Sequence, residues 1–390
     1  MRFPNSSAHA IHCALTAANF AAAGAETIFF PGIPFSFSFL GGPGRGIPDA
    51  FFAGLGFSRL PARLRLEIIG TGHKGLYGQM FRRRLKQVAD EQGGAVCFAS
   101  SVKEAALALD VRKRSRNKDL RVVFEIHHLI SLLKKDAEAE KLHALEKRAF
   151  AEADLIVFNC EALKQSCQGY LPQCVNSLVS PLGYNEKTIR AARDPVSNPE
   201  APEPAQMLGV VNLAYVGSLQ EGKGLENLLQ ALALLGDNFA LTLIGGRPEK
   251  GLAALKKLAA RLGVEGRVNF TGLLAQTEIG PHLADCDIFV IPMDTDKDFF
   301  APLKMYEALG FALPIVATPM PSLLQGLTRE VNARFADGCS PAHLAQSVKS
   351  LAADPDLRRR MRRNNFLAAK ELSSSARAEK LLDYFHAAWA

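Results

Sequence analysis

The sequence lacks two features that would place it in particular protein classes. It has no run of about 18 apolar residues, so we expect no membrane-spanning helix. Its seven cysteines are odd in number and form no C-x-x-C pair, which favours free thiols in a reducing cytoplasm over a disulfide framework or a thiolate metal site. The alanine-rich start "ALTAANFAAAGA" is interrupted by polar residues, and we interpret it as an amphipathic helix rather than a secretion signal.

The composition is that of a soluble globular protein with two domains. The chain has 390 residues, of which 48% are hydrophobic and 22% are charged. Residues 1–200 hold 26 Lys+Arg against 19 Asp+Glu, whereas residues 201–390 hold 20 of each, so the net charge of +7 lies in the first half. The basic segments "RLPARLRLE", "FRRRLK" and "RKRSRNK" suit an anionic partner: phospholipid headgroups, a lipid pyrophosphate or nucleic acid. Solvated helix faces are the alternative.

Apolar, β-branched runs alternate with helical patterns along the whole chain, which predicts βαβ units and parallel sheets. The predicted strands of the first half are "ETIFF", "RLEII", "AVCFA", "RVVFEI" and "DLIVFN"; those of the second half are "VVNLAYVG", "FALTLIGG", "RVNFTG", "DIFVIP" and "PIVAT". Between the halves, the four prolines in Arg193–Gln206 predict an interdomain linker. A Gly/Pro/Phe-rich insertion at Ile33–Phe57 has no helical or strand period, and we predict a functional or mobile loop there.

The stretch Leu213–Leu232, "LAYVGSLQEGKGLENLLQAL", predicts a phosphate-binding loop. A strand ends at Gly217 and a helix begins near Gly224, which leaves backbone N–H groups and a positive helix end for an anion, with Lys223 adding charge. The spacing resembles a P-loop, but Gly224 stands where a Ser or Thr would ligate Mg²⁺. We therefore predict phosphate binding without nucleoside triphosphate hydrolysis.

Three alternating aspartates, Asp294, Asp296 and Asp298, suggest a cation site at first sight. A calcium loop counted from Asp294 would need glycine and glutamate where Phe299 and Met305 stand. The Asp-x-Asp pattern of one class of sugar-transfer enzymes is weak and needs a different architecture. We expect no metal here, and we predict that Asp298 or a neighbour caps a following helix.

Several motifs together resemble the retaining glycosyltransferases of family 4. They occur in the order and spacing of that family and cover nearly the whole chain: "PNSSAHAIHCALTAANFAAAGAE", "FEIHH", "VSPLGYN", "YVGSLQEGKGLENLLQAL", "LTLIGG", "RVNFTGLL", "LADCDIFVIP", "APLKMYEALGFALPIVAT" and "DPDLRRRMRRNNFLAAKELSSSARAEKLLDYF". The resemblance implies an α/β chain of the GT-B fold, with two Rossmann-like domains facing each other across a cleft. We expect an acceptor-binding domain at 1–190, a linker at 191–207 and a donor-binding domain at 208–372, with the helix at about 373–390 packing back on the first domain.

The resemblance assigns the donor site residue by residue. Ser218 replaces the arginine that usually follows the first glycine, and Phe299 replaces the first of two family glutamates, for which Asp298 is a candidate substitute. The second glutamate matches Glu307, the expected ligand of the ribose hydroxyls. The expected diphosphate-binding residues are Gly217, Ser218, Lys223, Pro302, Leu303 and Lys304, and the expected base-binding residues are Phe270, Thr271 and Gly272.

The resemblance also identifies residues for catalysis and for the acceptor. His127 follows the strand "RVVFEI" and matches the family histidine that reaches the donor sugar; a packed structural histidine is the alternative. Asp298, the candidate substitute for the first family glutamate, is the other expected catalytic residue, and Glu125 lies on the same side of the strand as His127, with a buried polar anchor as its alternative role. Ser7 and His9, in the loop expected before the first helix, are acceptor-side candidates.

The function that the resemblance implies is a retaining, metal-independent hexosyltransferase of polysaccharide or cell-envelope biosynthesis. It would use a nucleotide diphosphate sugar as its substrate, with no cofactor, and a glycan or lipid-linked acceptor. We expect a cytoplasmic protein, in peripheral contact with the membrane through the basic first domain, and no nucleic-acid partner. Two alternatives stay open: an inactive GT-B binding or scaffold protein, and a sugar-nucleotide epimerase of the same architecture.

Overall fold

The computed structural model describes residues 8–30, 32–33, 51–66, 69–70, 76–92, 94–114, 119–129, 131, 137–170, 176–189, 209–246, 248–294 and 303–389. The predicted linker at 191–207 lies outside these residues. The chain forms two compact units. Unit 1 comprises Met1–Ala53, Ser58–Pro181 and Ala378–Ala390, and unit 2 comprises Gly54–Phe57 and Leu182–Arg377.

Unit 1 is built from parallel strands and helices that alternate along the chain. Its described elements are α1 (Ala8–Ala22), β1 (Thr27–Phe29), β2 (Gly32–Ile33), β3 (Leu64–Leu66), β4 (Ile69–Gly70), α2 (Leu76–Gln92), β5 (Ala95–Ala99), α3 (Val102–Arg114), β6 (Leu120–Ile126), α4 (Ala137–Glu152), β7 (Leu155–Phe158), α5 (Glu161–Ser166) and β8 (Ser177–Val179). Four of the strands form a parallel sheet in the order β5-β6-β7-β8. The strands that precede it in the chain form two parallel pairs, β1-β3 and β2-β4.

The core of unit 1 follows from the apolar character of its central strands. Every residue of β7 is buried, as are six of the seven in β6. The last helix of the chain, α13 (Ser374–Trp389), supplies Ala378, Leu381 and Phe385 to a cluster with Phe20 of α1 and residues of β6 and β7. Because α13 covers apolar surface of these strands, removing it would expose that surface to water.

Unit 2 contains one parallel sheet flanked by helices. Its described elements are β9 (Val211–Val216), α6 (Leu225–Leu234), β10 (Phe239–Ile244), α7 (Glu249–Arg261), β11 (Val268–Gly272), α8 (Gln276–Leu283), β12 (Ile288–Ile291), α9 (Leu303–Gly310), β13 (Ile315–Ala317), α10 (Pro321–Gly326), β14 (Ala333–Phe335), α11 (Pro341–Ala352) and α12 (Pro355–Lys370). The strand order β11-β10-β9-β12-β13-β14 is that of a Rossmann sheet, with the first and fourth strands of the unit side by side at its centre.

Strand positions agree closely with the apolar runs in the sequence, and the differences have local causes. The run "RLEII" is divided between β3 and β4. The three-residue strands β8 and β14 were not predicted, because they do not belong to longer apolar runs as the equally short β1 and β13 do. The prediction of no regular structure for Ile33–Phe57 was wrong at its two ends. Ile33 pairs in β2 and residues 51–54 are helical, whereas 34–50 lie outside the described residues.

In the part of the chain that the structure describes, no helix is long and apolar enough to cross a membrane.

Candidate functional site

The centre of the unit 2 sheet is the place where this topology binds ligands. β9 and β12 are neighbours, and successive connections leave them toward opposite sides, so a crevice forms outside their carboxyl ends. β9 ends at Val216 and is followed by the glycine-rich loop Gly217–Gly224; β12 ends at Ile291 and is followed by Pro292, Met293 and Asp294. The predicted phosphate loop therefore lies at the switch point.

Gly224 brings these two loops into direct contact. It precedes α6 with φ of 68°, in the left-handed region that favours glycine. A Cβ atom there would lie 1.6 Å from the carbonyl oxygen of Pro292, which no side chain can tolerate. The approach holds the first turn of α6, which no side chain caps, beside the end of β12. Its free backbone N–H groups and positive dipole end suit an anion.

Two lysines lie at this loop in environments that disfavour their charge. Burial lowers the pKa of Lys223, and Asp294 partly opposes the change. Lys304, on the first turn of α9, is only 8% exposed. Burial, together with the charge of Lys223, lowers the pKa of Lys304 to about 7, against an opposing effect of Glu307. An anion bound between the two amines would favour their charged forms.

Tyr215 joins Lys304 to the glycine-rich loop. The Lys304 ammonium donates a hydrogen bond to the phenol oxygen at 2.7 Å, and the phenol O–H donates to the Ser218 carbonyl at 2.8 Å. Burial and the Glu307 charge raise the pKa of Tyr215, so the phenol keeps the proton that it donates. A Cβ on Gly217 would lie 3.1 Å from Lys304 Nζ, so glycine at 217 gives the amine room beside the backbone.

Glu307 lies one turn after Lys304 on the same face of α9. Desolvation raises the pKa of its carboxyl to about 7, and the charge of Lys304 opposes the rise. The residue is half-buried, and its carboxylate can accept two hydroxyl hydrogen bonds when it is ionised. The structure thus brings four predicted donor residues together, Gly217, Ser218, Lys304 and Glu307, with Lys223 electrostatically coupled to them.

The structure describes some of the other residues predicted to bind the donor, and the rest lie outside its described range. Leu303 opens α9 and is partly buried. Phe270, Thr271 and Gly272 end the edge strand β11, and the Phe270 ring lies 5.8 Å from the ammonium of Lys256 on α7. The Phe270 side chain is therefore engaged by α7, and a role in base recognition would fall to the backbone. The predictions for Ser7, Asp298, Phe299 and Pro302 lie outside the described residues.

Unit 1 holds a compact cluster of histidines around a buried glutamate. Glu125 of β6 has a side chain that is 0% exposed. Its Oε2 lies 3.0 Å from His12 Nε2, 3.1 Å from His127 Nε2 and 2.9 Å from Ser100 Oγ. His12 comes from α1, Ser100 follows β5 and His127 follows β6, so a helix face and two adjacent strand ends converge. The ligating atoms of His12, Glu125 and His127 lie within 4.8 Å of one another, close enough to hold a metal ion.

Two further histidines, His9 and His128, lie near His127 of this cluster. The His9 ring makes an edge contact with His127 at 5.5 Å between centroids, and burial with the neighbouring charges of His127 and His12 lowers the pKa of His9 to about 4. The placement of His9 in a loop before the first helix was wrong: α1 begins at Ala8, because this alanine-rich stretch has high helix propensity. His9 is therefore held rigidly, one turn before Cys13, whose Sγ lies 3.7 Å from its Nε2.

Three residues of these sites were missed in the sequence. Tyr215 lies inside the predicted apolar strand "VVNLAYVG" and is 0% exposed, so nothing in the sequence marks it as a site residue. His12 and Ser100 are distant in sequence from Glu125, and their convergence depends on tertiary structure. The spacing His9-x-x-His12 was the available signal, because residues three apart share a helix face.

Comparison with known proteins agrees with this architecture. Residues 209–367 match the family model described as glycosyl transferases group 1. A D-inositol 3-phosphate glycosyltransferase of Corynebacterium glutamicum is 26% identical over 259 residues, which are 64% of this chain and 61% of that protein. The lipopolysaccharide core biosynthesis glycosyltransferase LpsD of Rhizobium meliloti is 30% identical over 43% of this chain and 46% of its own. The chain thus aligns with less than two-thirds of these relatives' length.

A solved structure extends the likeness to the whole chain. Anabaena HepE, crystallised in complex with UDP-glucose, superposes with a TM-score of 0.71 at 18% identity, over 99% of this chain and 98% of that one. At this identity the likeness shows the fold, and the α/β fold class predicted from the sequence is confirmed. The chain therefore has the GT-B fold of glycosyltransferases, and its residues 209–367 carry the pattern of glycosyl transferases group 1.

Proposed function

We propose that the protein is a retaining, metal-independent glycosyltransferase that moves a hexose from a nucleotide diphosphate sugar to a glycan or lipid-linked acceptor. The proposal rests on one observation: the Lys304 ammonium lies against the glycine-rich loop that begins at Gly217, and Lys304 is one turn before Glu307 on α9. Two cations and a helix N-terminus suit a diphosphate, and a carboxylate one helical turn away suits ribose hydroxyls. HepE, with the same fold, was crystallised with UDP-glucose.

In this proposal Lys304 replaces the arginine that the sequence lacks at Ser218. Its ammonium reaches the backbone of Gly217 and Ser218 through Tyr215, so a cation stands beside the loop although residue 218 carries none. Together with Lys223 it would neutralise the diphosphate leaving group where a divalent cation would otherwise act. Ser218, Pro302, Leu303 and the first turns of α6 and α9 complete the proposed phosphate site, and Phe270–Gly272 would face the base.

The reaction chemistry in this proposal needs little more than positioning and charge. The bond from the anomeric carbon to the diphosphate oxygen breaks as the bond to the acceptor oxygen forms, and the acceptor proton passes to the departing phosphate. His127 would contact the donor sugar, Asp298 would take the place of the first family glutamate at the sugar hydroxyls, and Ser7 and His9 would contact the acceptor. Retention follows from the family resemblance, in which the acceptor attacks from the face that the diphosphate leaves.

A panel of nucleotides and nucleotide sugars tests the proposal. We expect calorimetry to detect binding of one nucleoside diphosphate and mass spectrometry to detect slow turnover of its sugar. Glu307→Ala should weaken that binding by about 10- to 100-fold, because a hydrogen bond to a charged group contributes about 1.5–3 kcal/mol. Glu307→Gln, which retains one acceptor oxygen, should lose less. If the native protein neither bound nor turned over any member of the panel, the result would contradict the proposal and favour a scaffold protein.

The cell-envelope class of acceptor is part of the same proposal. LpsD acts in lipopolysaccharide core biosynthesis by its name, and another relative is named as a phosphatidylinositol monomannoside mannosyltransferase. In unit 1, α2 buries Phe81, Leu85 and Ala89 on one face and exposes Arg83 and Lys86 on another. An exposed basic face suits the anionic cytoplasmic leaflet of a membrane, which would make the protein cytoplasmic and peripheral.

Sedimentation with vesicles tests the membrane contact. We expect binding to phosphatidylglycerol vesicles at low salt, weaker binding at high salt because charge interactions are screened, and none to phosphatidylcholine vesicles. Arg83→Glu should reduce binding, since a basic residue near such a surface contributes about 1 kcal/mol. Lys257→Glu, on the exposed face of α7 in unit 2, is the matched control and should bind like the native protein. Failure to bind anionic vesicles at low salt would exclude the contact.

A further inference from the structure

The histidine cluster of unit 1 converges on a single oxygen atom. Glu125 Oε2 is within hydrogen-bond distance of His12 Nε2, His127 Nε2 and Ser100 Oγ, at 2.9–3.1 Å. An ionised carboxylate only accepts hydrogen bonds, so each of the three partners must present a proton to it. For the two histidines this proton lies on Nε2, and the neutral ring then carries its lone pair on Nδ1.

We propose that Glu125 is a positioning residue that fixes the ring orientation and the tautomer of His127, with His12 and Ser100 holding the carboxylate in place. The inference rests on the function proposed above, in which His127 contacts the donor sugar. The side chain of Glu125 is fully buried, so we place it behind His127 and not against the substrate. His127 is 14% exposed at its side chain, so part of that side chain reaches the surface.

The geometry makes the orientation of His127 rigid. Its ring is held by the hydrogen bond from Nε2 to Glu125 and by edge contacts with His12 and His9, at 5.0 and 5.5 Å between ring centroids. Among the described residues, Nδ1 of His127 has no hydrogen-bond partner, which leaves it as the acceptor for a sugar hydroxyl. In the other tautomer Nδ1 would carry the proton, and Nε2 would turn a lone pair toward the carboxylate.

A metal ion held by His12, Glu125 and His127 is the competing interpretation. It would require lone pairs, not protons, on both Nε2 atoms, because a metal binds a neutral imidazole through its unprotonated nitrogen. Ser100 Oγ would then donate to the same oxygen that ligates the metal. The Nε2–Oε2 distances of 3.0 and 3.1 Å are ordinary for direct hydrogen bonds, so the hydrogen-bonded network needs no further component.

The test begins with the native protein, labelled with ¹⁵N-histidine. Imidazole ¹⁵N shifts distinguish the two tautomers, and His127 is assigned by the loss of its signals in His127→Gln. We expect the Nε2–H tautomer for His127 in the native protein. A His127 with its proton on Nδ1, or a stoichiometric zinc ion that leaves with a chelator and rebinds, would overturn the proposal. This measurement needs no substrate and no change at Glu125.

The second arm uses Glu125→Gln, which keeps the shape of the side chain but adds N–H donors. We expect a second tautomer of His127 in the ¹⁵N spectrum and kcat lowered by about 10- to 100-fold, the usual effect of losing a residue that orients a functional histidine. KM for the donor should stay close to native, because unit 2 holds the nucleotide. An unchanged spectrum and kcat would also overturn the inference. Absence of turnover in the native protein would count against the proposed function alone.

Discussion

Lys304→Met is expected to weaken nucleoside diphosphate binding by about 10- to 100-fold, as follows from a charge-assisted hydrogen bond of about 1.5–3 kcal/mol. The same substitution should leave the melting temperature unchanged or raise it. Lys304 is buried and its pKa is lowered to about 7, so its titration destabilises the folded state in full below pH 7, and this effect fades as the pH rises to the unfolded pKa near 10.4. Methionine fills a similar volume without that cost. Calorimetry of binding and of unfolding gives both results on one sample.

The pH dependence of nucleotide binding shows whether the charge of Lys304, and not only the shape of its side chain, contributes to the affinity. A bound diphosphate raises the pKa of Lys304, which is about 7 in the free protein, so binding takes up a proton above pH 7. The affinity of the native protein should therefore fall above pH 7, by at most about tenfold per pH unit. Below pH 7 it should fall again, because Glu307 becomes protonated and accepts hydroxyl hydrogen bonds less well.

Two variants test separately the expected losses of affinity above and below pH 7. Lys304→Arg should remove the fall above pH 7, since arginine keeps its proton throughout the range. Glu307→Gln should remove the fall below pH 7. Lys257→Met, at an exposed position on α7, controls for the loss of one positive charge and should match the native affinity. If Lys304→Met instead bound nucleotide normally and unfolded at lower temperature, Lys304 would be a structural residue.

The strands that lie in long apolar runs were the part of the fold that the sequence predicted best. The bounds predicted for β5 match the structure, and β7 and the strands β9 to β13 lie within the predicted segments, whereas β6 begins one residue before its segment. Each of these strands is flanked by polar or glycine residues that end the run. The three-residue strands β8 and β14 escaped prediction because their pairing with β7 and β13 depends on the sheet already present, and not on a local pattern.

The candidate sites were predictable where a motif lies on one element or one loop. Lys223 is separated by whole elements from Lys304 and Glu307, which share α9, yet the loop after β9 and the start of α9 both lie at the sheet edge where the Rossmann topology binds ligands. Tyr215 and His12 were not predictable in this way. Their roles depend on which side of a strand or helix faces a partner more than 80 residues away, such as the 89 residues between Tyr215 and Lys304. Sequence alone leaves that choice open.

Gly224→Ala is expected to destabilise unit 2 severely and to abolish nucleotide binding. The Cβ would lie 1.6 Å from the Pro292 carbonyl oxygen, and both atoms belong to backbone that cannot rotate away. Either the loop after β9 or the end of β12 must move. We expect a loss of about 3 kcal/mol beyond the conformational strain, at the upper end for overpacking. That loss corresponds to a melting temperature lower by about 6–12 °C, at about 2–4 °C per kcal/mol for a unit of this size.

Gly263→Ala is a control matched in backbone conformation. Gly263 has the same φ of 68°, but no atom lies within 4 Å of the position of its Cβ. It therefore reports the strain of a left-handed alanine alone, about 1–2 kcal/mol, and should leave nucleotide binding intact. Hydrogen exchange read by mass spectrometry should show β9 and β12 losing protection in Gly224→Ala but not in Gly263→Ala. Equal destabilisation of the two variants would mean that the loop after β9 is free to move. The contact with Pro292 would then not be what holds the phosphate loop at the switch point.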